Sequence, residues 1–73
     1  MKLKVIIEKN ETGFFVAEVP ALPGCLSQGK TLDEAKENIK EAVEGWLFIE
    51  RKHGRINIPD AEEIIFILKG KVI

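Results

Sequence analysis

The chain has little of what small folds use as staples. It contains one cysteine, Cys25, and one histidine, His53. A disulfide within the chain is therefore excluded, and a structural zinc site of Cys and His ligands is short of members. No sign of charge dominates: 11 Lys and Arg stand against 12 Asp and Glu, for a net charge of −1. Bulk electrostatics thus gives no sign of a nucleic-acid binder. The longest apolar run, Ile64 to Leu68, falls far short of the roughly 20 residues that span a bilayer. Met1-Lys2-Leu3-Lys4 leads straight into an alternating pattern, with no hydrophobic leader segment. These absences predict a cytoplasmic, reducing home and no membrane partner. Neither G-x-G-x-x-G nor a P-loop occurs, so no phosphate cradle or cofactor is expected.

What is present fits a single folded domain over residues 1–73. The chain is 45% hydrophobic and 32% charged, the balance of a globular protein and not of a disordered one. A chain this short hides only about 60% of its unfolded surface, so association with a partner or a second copy is the expected supplement.

Alternation of Leu3, Val5 and Ile7 with Lys2, Lys4 and Glu8 predicts a strand over Lys2–Lys9. Asn10-Glu11-Thr12-Gly13 supplies a turn, with Asn10 and Gly13 best able to take positive φ. A second strand over Phe14–Val19 completes an antiparallel hairpin. Pro20-Ala21-Leu22-Pro23-Gly24 breaks the ladder, because proline donates no backbone hydrogen bond. Cys25–Gln28 then reads as a third strand. Thr31-Leu32-Asp33-Glu34 is a capping box, in which Thr31 and Glu34 each satisfy a backbone N–H. The helix it opens runs from Leu32 to Lys52, with Leu32, Ala35, Ile39, Ala42, Val43, Trp46 and Ile49 on one stripe. Arg51, Lys52 and His53 suit its negative end, and Gly54 suits the position just beyond. Gly45 is its one weak point. After a turn at Ile58-Pro59-Asp60, Glu63–Lys69 reads as the final strand. The order β-β-β-α-β predicts an α+β fold, one helix packed on an antiparallel sheet.

One helix covers one face of a sheet, yet these strands are apolar on both. Ile6 opposes Val5 and Ile7, Phe14 and Val16 oppose Phe15 and Ala17, and Ile64–Leu68 is apolar throughout, the pattern of strands covered on both sides. Ile6, Phe14, Val16, Phe66 and Leu68 are therefore the expected partner or oligomer surface, and a homo-oligomer, most simply a dimer, is expected.

Several constellations suggest chemistry. Cys25 with His53 would make a nucleophile and base, but the sequence places no acid to orient His53. A small buried thiol and a helix-terminal cation account for both residues, and no catalytic role is expected. Glu8, Glu18, Glu62 and Glu63 lie on or beside strands and would have to converge to hold metal. Solvated edge protection is the simpler reading, and no metal site is expected. Lys2, Lys4 and Lys9 with Phe14 or Phe15 would make an RNA-stacking face, but Glu8, Glu11 and Glu18 interleave with them.

The most specific signal is the run Gly13-Phe14-Phe15-Val16-Ala17-Glu18-Val19-Pro20-Ala21-Leu22-Pro23-Gly24-Cys25-Leu26-Ser27-Gln28-Gly29-Lys30-Thr31-Leu32-Asp33-Glu34-Ala35. It resembles the HicB-like antitoxin family, of the UPF0150-like kind, with its aromatic strand, P-x-L-P-G-C turn, Q-G-x-T step and E-A helix start. Asn38–Ala42, Trp46-Leu47, Gly54 and Ile58-Pro59 continue the likeness along the chain. The resemblance implies a partial ribonuclease-H-like fold, self-association, and binding to a HicA-type mRNA interferase whose catalytic His is masked. It implies a toxin-neutralising module, with a degenerate ribonuclease-H-like nuclease or a direct RNA binder as the alternatives. The sequence ends at Ile73 without the DNA-binding segment many members carry, so nucleic-acid binding through this domain alone is not expected. Ala21 stands where the family often has Asp. Physically, Pro20, Pro23, Gly24, Cys25, Gly29, Thr31 and Glu34 are fold-making residues: they stiffen the crossover, permit the reversal and start the helix.

Overall fold

Alternating burial defines the first strand, β1 (Lys2–Lys9): Leu3, Val5 and Ile7 are buried while Lys2, Lys4 and Glu8 are exposed. The computed structural model describes residues 2–54 and 63–69, so the expected Ile58-Pro59-Asp60 turn lies outside the described residues. The turn after β1 is built by Asn10. Its Oδ1 accepts the N–H groups of Thr12 and Phe14, both at 3.0 Å, and the Thr12 hydroxyl at 2.7 Å. Asn10 thus contributes its side chain and not a left-handed backbone, which only Gly13 adopts here, at φ 91°.

β2 (Phe15–Glu18) pairs antiparallel with β1, and β3 (Leu26–Gly29) pairs antiparallel with β2. The Pro20–Gly24 reversal is closed by Val19 donating to the Cys25 carbonyl at 3.1 Å and Cys25 donating to the Leu22 carbonyl at 2.9 Å. Gly24 turns the corner at φ 82°. Leu22 and Cys25 point inward from this loop and are buried.

The helix α1 (Leu32–Lys52) begins as the capping box requires, with the Glu34 N–H donating to Thr31 Oγ1 at 3.1 Å. The return arm differs: the Glu34 carboxylate accepts from the Lys30 N–H, at 3.3 Å, one residue before the cap. Gly29 is the helix's seat. A Cβ there would lie 2.5 Å from the Ala35 nitrogen, a contact that only a residue without a side chain avoids. The far end closes with Gly54 at φ 68°, its N–H donating to the Arg51 carbonyl at 3.0 Å.

β4 (Glu63–Lys69) completes a four-stranded sheet of order β3-β2-β1-β4. The element order and the single helix on one face are as expected, but the sheet is mixed: β4 runs parallel to β1. The cause is topological. A helix between two strands returns the chain to the end where it started, so β4 shares the direction of β3, and β3 that of β1. The core lies between sheet and helix, where Leu3, Val5, Ile7, Ala17 and Val19 meet Ile39, Val43 and Leu47. The stripe differs from expectation at its C-terminal end. Leu47 is buried, Trp46 is half-buried with its indole N–H donating to the Pro23 carbonyl at 3.0 Å, and Ile49 is exposed.

Candidate functional site

Register decides which side chains share the face the helix leaves open. In β1 and β4, Lys2 lies beside Glu63, Lys4 beside Ile65, Ile6 beside Ile67 and Glu8 beside Lys69. In β2 and β3, Glu18 lies between Ile6 and Leu26, and Val16 between Glu8 and Gln28. Side chains alternate across a sheet, so all of these stand opposite the core residues Leu3, Val5, Ile7 and Ala17.

The face interleaves apolar and charged residues, with Ile6 beside Ile67 and the carboxylates of Glu8 and Glu18 standing between the β1–β4 isoleucines and Val16 and Leu26. Every strand contributes an apolar residue: Ile6, Val16, Leu26, Ile65 and Ile67. Leu26 is 57% exposed, Ile65 37% and Ile67 41%. Lys2–Glu63 at 3.9 Å and Glu8–Lys69 at 4.0 Å bracket the β1–β4 half with ion pairs. A shallow depression of about 220 Å³ lies on the other half, lined by Ile6, Glu8, Asn10, Val16 and Glu18.

Of the five residues expected to form one surface, the structure brings together Ile6 and Val16. Phe14 sits just before β2, half-buried, with its backbone bonded to Asn10 in the turn. Phe66 and Leu68 stand on the other side of the sheet. Val5 pairs with Phe66 and Ile7 with Leu68, which places both on the helix face. Phe66 packs against the core under two lysines of α1, Lys36 at 5.3 Å and Lys40 at 6.0 Å from its ring centre. Ile65 and Ile67 take their place on the open face. The signal for this register is in the sequence: β1 begins with Lys2 and reaches Glu8, β4 begins with Glu63 and reaches Lys69, with opposite charges at equal spacing.

Cys25 and His53 lie apart. Cys25 is buried in the loop before β3, and burial pushes its thiol above the ordinary value of 9.0. His53 caps the exposed end of α1, about two turns past Trp46, the helix residue that reaches the Pro23 loop. Among the described residues no group of three or more His, Cys, Asp or Glu is placed to hold a metal ion. No helix among them is long and apolar enough to cross a membrane.

Comparison with known proteins adds to this geometry. The family model described as UPF0150-like matches residues 4–59. A UPF0150 protein of Thermoplasma acidophilum is 52% identical over 65 residues, covering 88% of this chain and 94% of its own. One from Archaeoglobus fulgidus is 45% identical over 64 residues, covering 88% and 86%. One from Synechocystis is 38% identical over 69 residues, covering 94% and 93%. No solved structure matches the chain.

Proposed function

The chain belongs to the UPF0150-like, HicB-like N-terminal family, and from that premise we propose that it is an antitoxin-like module that neutralises a HicA-type mRNA interferase by protein–protein contact. The observation that carries this reading is the open sheet face. Five apolar residues from four strands share it, and the chain's own helix lies on the other side. Exposed apolar side chains interleaved with charged ones suit a protein-binding surface that a partner must match in both shape and sign. Its acidic residues also suit the partner. An enzyme that cleaves mRNA presents cationic surface to its substrate's phosphates. Glu8 and Glu18, beside the depression on this face, offer the complementary sign and would compete with RNA for that surface. In this reading Cys25 and His53 have no catalytic part.

The test titrates the purified chain into the HicA-type interferase of the same genome, with cleavage of a reporter mRNA as the readout. Near-stoichiometric protein should suppress cleavage. Val16→Glu and Leu26→Glu should each weaken suppression by about tenfold or more, as loss of an anchoring apolar contact does, with unchanged circular dichroism. Undiminished cleavage at a molar excess of the chain would reject the proposal. Divalent-metal-dependent cleavage by the chain alone, lost in Glu8→Gln, would replace it with the nuclease reading.

A further inference from the structure

The two edges of the sheet are treated differently. β3 is short, at 4 residues, and is occupied by the helix that follows it. Gly29 lies against the backbone of Glu34 and Ala35, and Asn38 Nδ2 donates to the Gln28 carbonyl at 2.8 Å. β4 is the other edge among the described residues, and at 7 residues it is nearly twice as long. It has neither proline nor glycine, and Ile65, Ile67 and Leu68 on it are exposed. Folded proteins normally blunt such an edge, because its free N–H and C=O groups template pairing with another chain.

We infer that β4 is a self-recognition strand, through which two copies of this chain join their sheets edge to edge, antiparallel, about a two-fold axis at Phe66. The strand reads Glu-Ile-Ile-Phe-Ile-Leu-Lys, and its reverse has the same order of residue classes. Antiparallel pairing centred on Phe66 therefore sets Glu63 opposite Lys69 of the second copy. Ile64 then meets Leu68 of that copy, Ile65 meets Ile67, and Phe66 meets itself. Every pair matches apolar with apolar or acid with base, and such directly opposed pairs are the unit of sheet stabilisation.

The neighbouring strand extends the match. Lys2 already lies beside Glu63, and Glu8 beside Lys69. Joining two copies would run Lys2, Glu63, then Lys69 and Glu8 of the second copy in one row of alternating charge, once at each end of the interface. Sliding the strands by two residues either way would set a charge opposite isoleucine and break both rows. Only one register satisfies the whole strand. It keeps both helices on one side of an eight-stranded sheet and makes the two open faces continuous. This inference stands apart from the toxin reading, since it concerns the strand's edge and not the sheet's face.

The test is sedimentation equilibrium of the whole chain, with Glu63→Lys and Lys69→Glu as separate variants at two exposed positions. The wild type should be a dimer. Each variant turns both end pairs from attraction to repulsion, so each should dimerise about tenfold more weakly or worse. Mixing the two variants in equal amounts should give a heterodimer about tenfold or more tighter than either variant's homodimer, because Lys then faces Glu at both ends. A wild type that is monomeric at high micromolar concentration would overturn the inference. So would single variants that dimerise as the wild type does, or a mixture that restores nothing.

Discussion

Burial of a few atoms works against a thiolate at Cys25. Loss of water around Sγ disfavours the thiolate and raises its pKa above 9.0, the opposite of the shift that activates a nucleophile. The sign of the linked stability follows. An unfolded chain loses this proton first, so the thiol's contribution is complete below about pH 9 and declines as pH rises toward the folded value. Stability should therefore fall more steeply above pH 9 in the wild type than in Cys25→Ala, measured by urea denaturation across pH 7 to 11. Parallel curves would show that the thiol is not desolvated. The sequence pointed to a small buried thiol here because a lone cysteine in an apolar loop has few other uses. Asn10 was only half legible: its place in the turn is a local matter, but its choice of side-chain over backbone geometry depends on where Phe14 returns.

Local chemistry made α1 readable from end to end, since caps and charge bias act within one turn. Its stripe was less so. After Val43, both Trp46 and Leu47 fall at helical spacing, and only the position of the Pro23 loop decides that Leu47 goes under while Trp46 flanks it. The two glycines beneath and along this helix separate in the same way. At Gly29 an added Cβ meets fixed backbone of Glu34 and Ala35, whereas at Gly45 nothing lies within 4 Å. Gly29→Ala should lose about 1–3 kcal/mol through overpacking. Gly45→Ala should gain about 0.5–1 kcal/mol through helix propensity and a stiffer unfolded chain. Denaturant midpoints measure both, and a Gly29→Ala variant as stable as the wild type would mean that the helix seat yields.

Across the whole molecule, the strand whose two faces are both apolar was the one that periodicity left unassigned. An unbroken run from Ile64 to Leu68 carries no parity, so Phe66 and Leu68 read as outward residues until the parallel register with β1 put them under the helix. That register is fixed by the helix crossover and by charges at the strand ends, neither of which lies within β4's apolar run. Phe66→Glu should accordingly lose the ring's packing against the core and lower the melting temperature well below that of the wild type, even with Lys36 and Lys40 nearby to pair with the new carboxylate. Ile67→Glu, on the open face, should leave the far-UV spectrum intact and the melting temperature within a few degrees of wild type. Equal loss from both would contradict the assigned faces. The same pairing also imposes an order in time. Every β1–β4 partner pair joins residues 61 positions apart, so β1 waits for a strand made much later before its second flank is covered. Contacts this distant along a chain slow folding. During translation Leu3, Val5, Ile6 and Ile7 emerge as an apolar strand with one side unpaired, open to misassembly between nascent chains. A ribosome that stalls before residue 63 would hold a hairpin and a helix but not the strand that closes them. The hazard lasts from the emergence of β1 until β4 follows it.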